Sequence, residues 1–244
     1  MIRQIKRVAK ISKQSPCSEV TFNTNLPLSI IVLEKLYQNH YKLLIGNKEL
    51  KAKSNRTLGV DKEYWGILQE NKGDILNLSH LIQKPEIYNS SLAFLDIEFD
   101  LLLKLLEDDP TPIQTLKKQI VQKMLDTQTS KEEFLTLTYM LLAQNQGIIH
   151  FPILFEGKKT LLQFEKKDYQ TTMFYLAFEN FGPVGGTMQQ NAQTTNISFE
   201  VMFDKSYQRL QKELQQNDMQ IAVSLTDMIL PLFDSSDVLL DIKG

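Results

Sequence analysis

The sequence predicts an α+β protein: a small N-terminal β-barrel-like module, a central helical segment, and a C-terminal mixed open sheet with a packed helix. Three observations predict it. Residues 41–79 carry short runs in which apolar and polar side chains alternate. Residues 91–146 carry leucines at helical spacing. Residues 197–203 alternate cleanly and lead into a leucine-striped helix and one last strand. These patterns divide the chain into a flexible basic tail (1–28), the barrel-like module (29–86), the helical segment (87–147) and the sheet domain (148–244).

In chain order, the tail holds Arg3, Lys6, Arg7, Lys10 and Lys13 with no continuous apolar stretch after them, which excludes a cleavable secretory signal. It reads as a frayed, solvated terminus. The alternative is a short amphipathic helix with Ile2, Ile5, Val8, Ala9 and Ile11 on one face, suited to a membrane surface or an acidic partner. Residues 29–38 read as a short helix packed on the barrel. Tyr41, Leu43 and Ile45 then define a strand, Gly46-Asn47 a two-residue hairpin, and Leu50 with Ala52 the returning strand. Residues 64–69 and 75–79 form a second pair across Asn71-Lys72-Gly73.

In the helical segment, Leu92, Leu95, Phe99, Leu102 and Leu106 predict a helix that Asp109-Pro110-Thr111-Pro112 stops. Thr111 with Gln114, and Ser130 with Glu133, read as capping boxes, and Gly147 as a helix C-terminus. In the last segment, residues 161–165, 173–179, 187–193 and 197–203 read as strands. Tyr207, Leu210 and Leu214 stripe a helix, and residues 220–225 form a final strand after the Asn217-Asp218 break.

Composition narrows the function. Of 244 residues, 27 are Lys or Arg and 29 are Asp or Glu, giving a net charge of -2 that argues against a protein whose whole surface grips nucleic acid. Cys17 is the only cysteine, so neither an intramolecular disulfide nor a thiolate metal cluster can form, in keeping with a cytoplasmic setting. The best apolar run, 26–36, is broken by Pro27 and Glu34, so no integral membrane segment is expected.

No motif points to an enzyme or a cofactor. The run Phe178-Glu-Asn-Phe-Gly-Pro-Val-Gly-Gly186 has the glycine density of a phosphate cradle, but a cradle leads into a helix N-terminus, and Gly186 leads instead into Thr187-Met188-Gln189-Gln190. It therefore reads as a hairpin-type turn. His40, His80 and His150 each stand without a second ligand at metal spacing, and no G-x-S-x-G elbow occurs. Glu107-Asp108-Asp109 reads as a solvated turn ahead of a helix start. The barrel offers a different chemistry: Lys42, Lys48, Lys51, Lys53 and Arg56, with Tyr41, Tyr64 and Trp65 nearby, combine cations with rings as oligonucleotide-binding barrels do. Against this, Tyr41 shares the apolar face of Leu43 and Ile45, and lysines on an outer hairpin also discourage edge aggregation, so nucleic acid is the alternative rather than the leading partner.

The last 95 or so residues carry a fuller pattern: Phe151-Pro152, then Phe181-Gly182-Pro183-Val184, then the alternating strand 197–203, the helix with Leu210 and Leu214, and the strand 220–225. In that order they resemble the C-terminal domain of the flagellar hook-length control protein family. The barrel-like zone looks like modules that precede this domain in some longer members. The resemblance implies a non-enzymatic protein that meets a flagellar export component, the cytoplasmic part of the export-gate switch protein, and changes the substrate class of the type III apparatus. It also implies that Phe181, Gly182, Pro183 and Val184 form the motif's turn and a partner contact, and that Phe199, Val201, Leu210 and Leu214 form the core. The helical middle stands where length-measuring members carry a Pro, Ser and Gln-rich ruler, which implies a short form without one.

Overall fold

A computed structural model describes residues 7–9, 27–69, 76–90, 92–97, 102, 104–105, 108–191, 194–214 and 220–237. The first module is a closed barrel of β1 (Leu28–Tyr37), β2 (His40–Ile45), β3 (Lys48–Lys53), β4 (Glu63–Gln69) and β5 (Leu76–Gln83), ordered β1-β2-β3-β5-β4. β1 closes the barrel on β4, and β3 runs parallel to β5. The helix that residues 29–38 predict is instead strand β1. Its Ile30-Ile31-Val32 run is β-branched, which restricts χ1 and favours a pleated surface, and Ile30 and Val32 fill the barrel with Tyr41, Leu43, Ile45 and Ala52. Gly46 makes the expected hairpin turn at φ 59°. The second hairpin turn at 71–73 lies outside the described residues.

The sheet domain follows α1 (Glu86–Asn89), α2 (Pro112–Met124) and α3 (Lys131–Asn145). Ser130 and Glu133 make a reciprocal capping box, whereas Thr111 makes no side-chain cap and leaves that end of α2 to Pro112. Six strands form one sheet: β6 (Ile148–Phe155), β7 (Lys158–Lys166), β8 (Thr171–Phe178), β9 (Gly182–Gln190), β10 (Thr195–Val201) and β11 (Gln220–Leu225). The first five are an antiparallel meander. β11 then pairs parallel to β10 after a crossover through α4 (Asp204–Leu214).

Three further expectations are corrected. Residues 92–97 are not helical: Leu95 bridges Ile153, with its N–H on Pro152 O and its C=O on Leu154 N, so backbone pairing to β6 overrides the leucine spacing. Residues 102, 104, 105 and 108 are helical, as that spacing predicts. β6 itself is a full strand where only a Phe151-Pro152 start is expected. In place of a frayed tail, residues 7–9 are helical and bury Val8 and Ala9 in the main core.

Both faces of the sheet are covered. On the inner face, Phe151, Ile153, Leu162, Phe174, Leu176 and Phe199 pack against Leu116 and Ile120 of α2, Leu137 and Met140 of α3, and Leu210 and Leu214 of α4. On the outer face, Leu161, Tyr175 and Ala177 meet Trp65 of the barrel together with Ile87, Tyr88 and Phe94. Trp65 Nε1 donates to Phe178 O at 2.9 Å and the Tyr88 hydroxyl to Ala177 O at 3.1 Å. Glu63 of β4 joins the modules electrostatically. One carboxylate oxygen holds Lys84 Nζ at 2.9 Å and the other holds Lys159 Nζ of β7 at 3.1 Å. Lys84 is only 2% exposed and also donates to Ser29 Oγ at 2.6 Å. Burial lowers its pKa, and Glu63 pulls the other way.

Trp65→Ala is expected to cost about 3–5 kcal/mol by emptying the contact between modules. Glu63→Gln is expected to cost a similar amount, about 3–5 kcal/mol, because Lys84 stays buried without its counter-charge, and Lys84→Met added to it should recover most of the loss. Urea titrations of the three variants check this. An unchanged midpoint for Glu63→Gln would show that the clamp does not hold the modules together.

Candidate functional site

The stretch 178–186 is where the sequence places a turn and a partner contact. The turn occupies residues 179–181, between Phe178 and Gly182, which are paired across β8 and β9. Gly182, the first residue after the loop, takes φ 86°, a left-handed conformation that favours glycine. Pro183, Val184, Gly185 and Gly186 are not in the turn but inside β9. β10 pairs with β9 only from Val184 onward, so Pro183 sits where β9 is locally an edge and tolerates a missing N–H.

Each glycine admits a neighbour. A Cβ on Gly182 would lie 2.6 Å from the Phe203 ring, one on Gly185 3.0 Å from Ile229, and one on Gly186 2.0 Å from Ser198 O. Phe181, Gly182, Pro183 and Val184 are all buried, with Phe181 and Val184 in the main core. The quartet presented as a partner contact therefore offers a partner no surface, and its glycines serve packing. Phe199, Val201, Leu210 and Leu214 are core, as the resemblance implies.

The exposed part of the sheet lies at its other end. Among the described residues β11 pairs only with β10, and none pairs with its other backbone edge. Its six residues, Gln-Ile-Ala-Val-Ser-Leu, contain no charge and no proline, the devices that usually blunt an edge. Leu225 ends the strand 48% exposed, and Met228 and Leu230 beyond it are 67% and 66% exposed. Between them Ile229 turns inward over Gly185, and the chain crosses the outer face. There Gln163 Oε1 accepts from Leu232 N at 2.8 Å, and Asp234 accepts from Glu86 N. Beside the edge, Thr187, Gln189, Asn196, Ser198, Gln220 and Ala222 line a shallow groove of uncharged side chains. Asn196 Oδ1 is buried there and has no hydrogen-bond partner among the described residues.

The barrel's cations are less concentrated than their sequence suggests. Lys42 is tied to Glu49 at 2.6 Å, which raises its pKa, and Arg56 donates to Leu81 O at 3.2 Å. Lys48 is exposed beside the β2–β3 turn. Lys51 and Lys53 are exposed on β3, opposite Lys42 and His40. Of the rings expected to stack, Tyr41 is interior with its hydroxyl on Leu58 N, Tyr64 accepts from Gly59 N, and Trp65 is in the contact between modules. The exposed ring is Tyr37, stacked on His40 at 4.2 Å. Reading 29–38 as a helix hid it, because only a strand ending at Tyr37 sets it against His40 across the β1–β2 turn.

His150 is buried between Gln163, which donates to its Nδ1 at 2.9 Å, and the Phe233 ring; burial lowers its pKa to about 3, so it stays neutral. Asp109 accepts from Thr111 N and makes the expected turn. Among the described residues, no three His, Cys, Asp or Glu stand together as a metal site would need, and no helix is long and apolar enough to cross a membrane. Cys17 lies outside the described residues.

Gly186→Ala should be the most damaging of the glycine changes, because the obstruction is backbone rather than a flexible side chain. A loss of about 3 kcal/mol or more is expected in thermal unfolding, against a smaller loss for Gly185→Ala, where the Ile229 side chain can yield. Equal losses would mean that the β9–β10 approach is not what requires glycine. No model of a known protein family matches the chain, and no curated protein matches it either.

Proposed function

We propose that the chain is a non-enzymatic protein-interaction module of the flagellar or a related type III export system, acting in the cytoplasm. In this reading the free edge of β11 takes an extended segment of an export component, the cytoplasmic part of the export-gate switch protein, and thereby regulates substrate switching. The observation that carries it is the uncharged β11 edge, continued by exposed Leu225, Met228 and Leu230. Backbone rungs along such an edge supply affinity, and the flanking apolar side chains supply selectivity. The resemblance of the strand, turn, strand, helix, strand order to the hook-length control family supports the choice of partner. The packing of α4 over β11 favours a lone strand over a second copy. Two sheets joined edge to edge would set two β11 strands about 4.8 Å apart, too close for the two α4 helices, each about 10 Å across, to sit above them.

Calorimetric titration of the full-length chain with that cytoplasmic domain should give saturable binding. Leu225→Asp with Met228→Asp should weaken it about tenfold or more without moving the melting temperature, since both side chains are exposed. Absence of any heat with the unaltered chain would remove the export partner. Undiminished binding by the double variant would remove the edge.

A second reading rests on the barrel. Its β1-β2-β3-β5-β4 order is that of the five-stranded Greek-key barrels that bind oligonucleotides on the strand 2–3 face and the neighbouring loops. That face carries Lys51 and Lys53 beside the Tyr37–His40 stack. Single-stranded oligonucleotide at low salt is the test: binding should fall steeply with added salt and vanish in Lys51→Glu with Lys53→Glu. No binding at low salt would leave the barrel as a structural module.

A further inference from the structure

Among the described residues the outer face of α2 stays exposed. The helix buries Leu116 and Ile120 on the side that meets α3 and the sheet. On the opposite side Gln114, Lys118, Val121 and Leu125 recur at spacings of four, three and four, which sets them on one face of the helix with its C-terminal half apolar. Val121 is 41% exposed and Leu125 79% exposed, and Lys117 and Gln122 flank that face. These six residues line one shallow surface depression. An apolar pair this exposed on a helix that already has a core face is a surface left for something else.

Charge identifies the occupant. The helix PIQTLKKQIVQKM contains three lysines and no acidic residue, on a chain whose net charge is -2. Lys123 lies within 3.8 Å of Asp126, and Lys118 is near enough to Asp109 to help lower its pKa, but among the described residues neither Lys117 nor Lys118 makes a close ion pair. They stand at either side of the Val121–Leu125 line, one turn before it. We infer that the outer face of α2 docks an amphipathic helix of a partner protein that carries acidic residues on either side of an apolar stripe.

Two other occupants fit less well. A second copy of this chain would bring one lysine-bearing face against another, and like charges across a contact oppose it. An anionic membrane would attract the lysines, but interfacial helices insert a broad apolar face, and here two side chains supply it. An acidic helix meets both features at once: apolar residues cover Val121 and Leu125, and carboxylates reach Lys117 and Lys118. This docking does not depend on the β11 reading, because α2 lies on the other side of the sheet from the barrel and uses neither the edge nor the residues after it.

The test uses the full-length chain and a fluorescein-labelled synthetic helix about five turns long, with leucines at heptad spacing and glutamates flanking them. A second peptide replaces every glutamate with lysine, and vesicles of phosphatidylcholine with about a quarter phosphatidylglycerol serve as the membrane arm. Anisotropy should show saturable binding of the acidic peptide below about 1 mM and none of the basic one. Lys117→Glu with Lys118→Glu should weaken it about tenfold, and Leu125→Ser several-fold, with melting temperatures unchanged because all three side chains are exposed. The inference is overturned if the two peptides bind alike, if neither binds, if the variants bind as the unaltered chain does, or if only vesicles bind.

Discussion

Removing Lys84 from water is the constraint around which the two modules are arranged. A nearly fully buried ammonium is tolerated only with a counter-charge and further partners, and the structure assembles them from several elements. Glu63 comes from β4, Ser29 from β1, and the Trp65 and Tyr88 rings flank the ammonium at 5.6 and 5.0 Å. Glu63 then has a second oxygen to satisfy, and Lys159 of β7 meets it. A barrel and a sheet that look separable in sequence are thus joined by one carboxylate shared between two lysines. Trp65 completes the junction by sending its N–H across to Phe178 O, at the end of β8 where the hairpin turn begins.

How much of this could be read beforehand depends on whether the controlling interactions are local. The β2–β3 hairpin, the Ser130 cap and the order of β10, α4 and β11 were legible, because alternation, capping chemistry and glycine turns act over a few residues. β1 and residues 92–97 were not. Ile30-Ile31-Val32 is apolar enough for either a helix or a strand, and only closure on β4 decides. Leu95 sits at helical spacing, yet β6 claims its backbone. The proposed binding surface was the least legible. Phe181 to Val184 stand out in sequence because glycine and proline are conspicuous, whereas β11 is proposed for its absence of charge and of a second neighbouring strand among the described residues, and the latter can be learned only from topology.

The two edges of the sheet are treated differently, and the difference bears on function. β6 is half covered: residues 92–97 run beside it and Leu95 takes up Pro152 O and Leu154 N. Its own Pro152 also removes one donor. β11 has no such cover among the described residues, although the chain passes close by as it leaves the strand, bonding Thr226 N to Val201 O before crossing the outer face. Among the described residues the chain caps one edge with a short extended segment and leaves the other bare, and the proposed docking of a partner's strand rests on that difference.

The glycines of β9 belong to the same logic. With helices on the inner face and the barrel and the chain after β11 on the outer one, the sheet is filled from both sides, and β9 is where space is shortest. Gly182 admits the Phe203 ring, Gly185 admits Ile229 of the returning chain, and Gly186 lets Ser198 O and the Phe174 ring approach. Ile229 faces inward because Gly185 leaves room for it, and an extended segment that turns Ile229 inward turns Met228 and Leu230 outward. The glycine that resembles part of a phosphate cradle therefore acts at a distance: by seating Ile229 it helps turn Met228 and Leu230 outward.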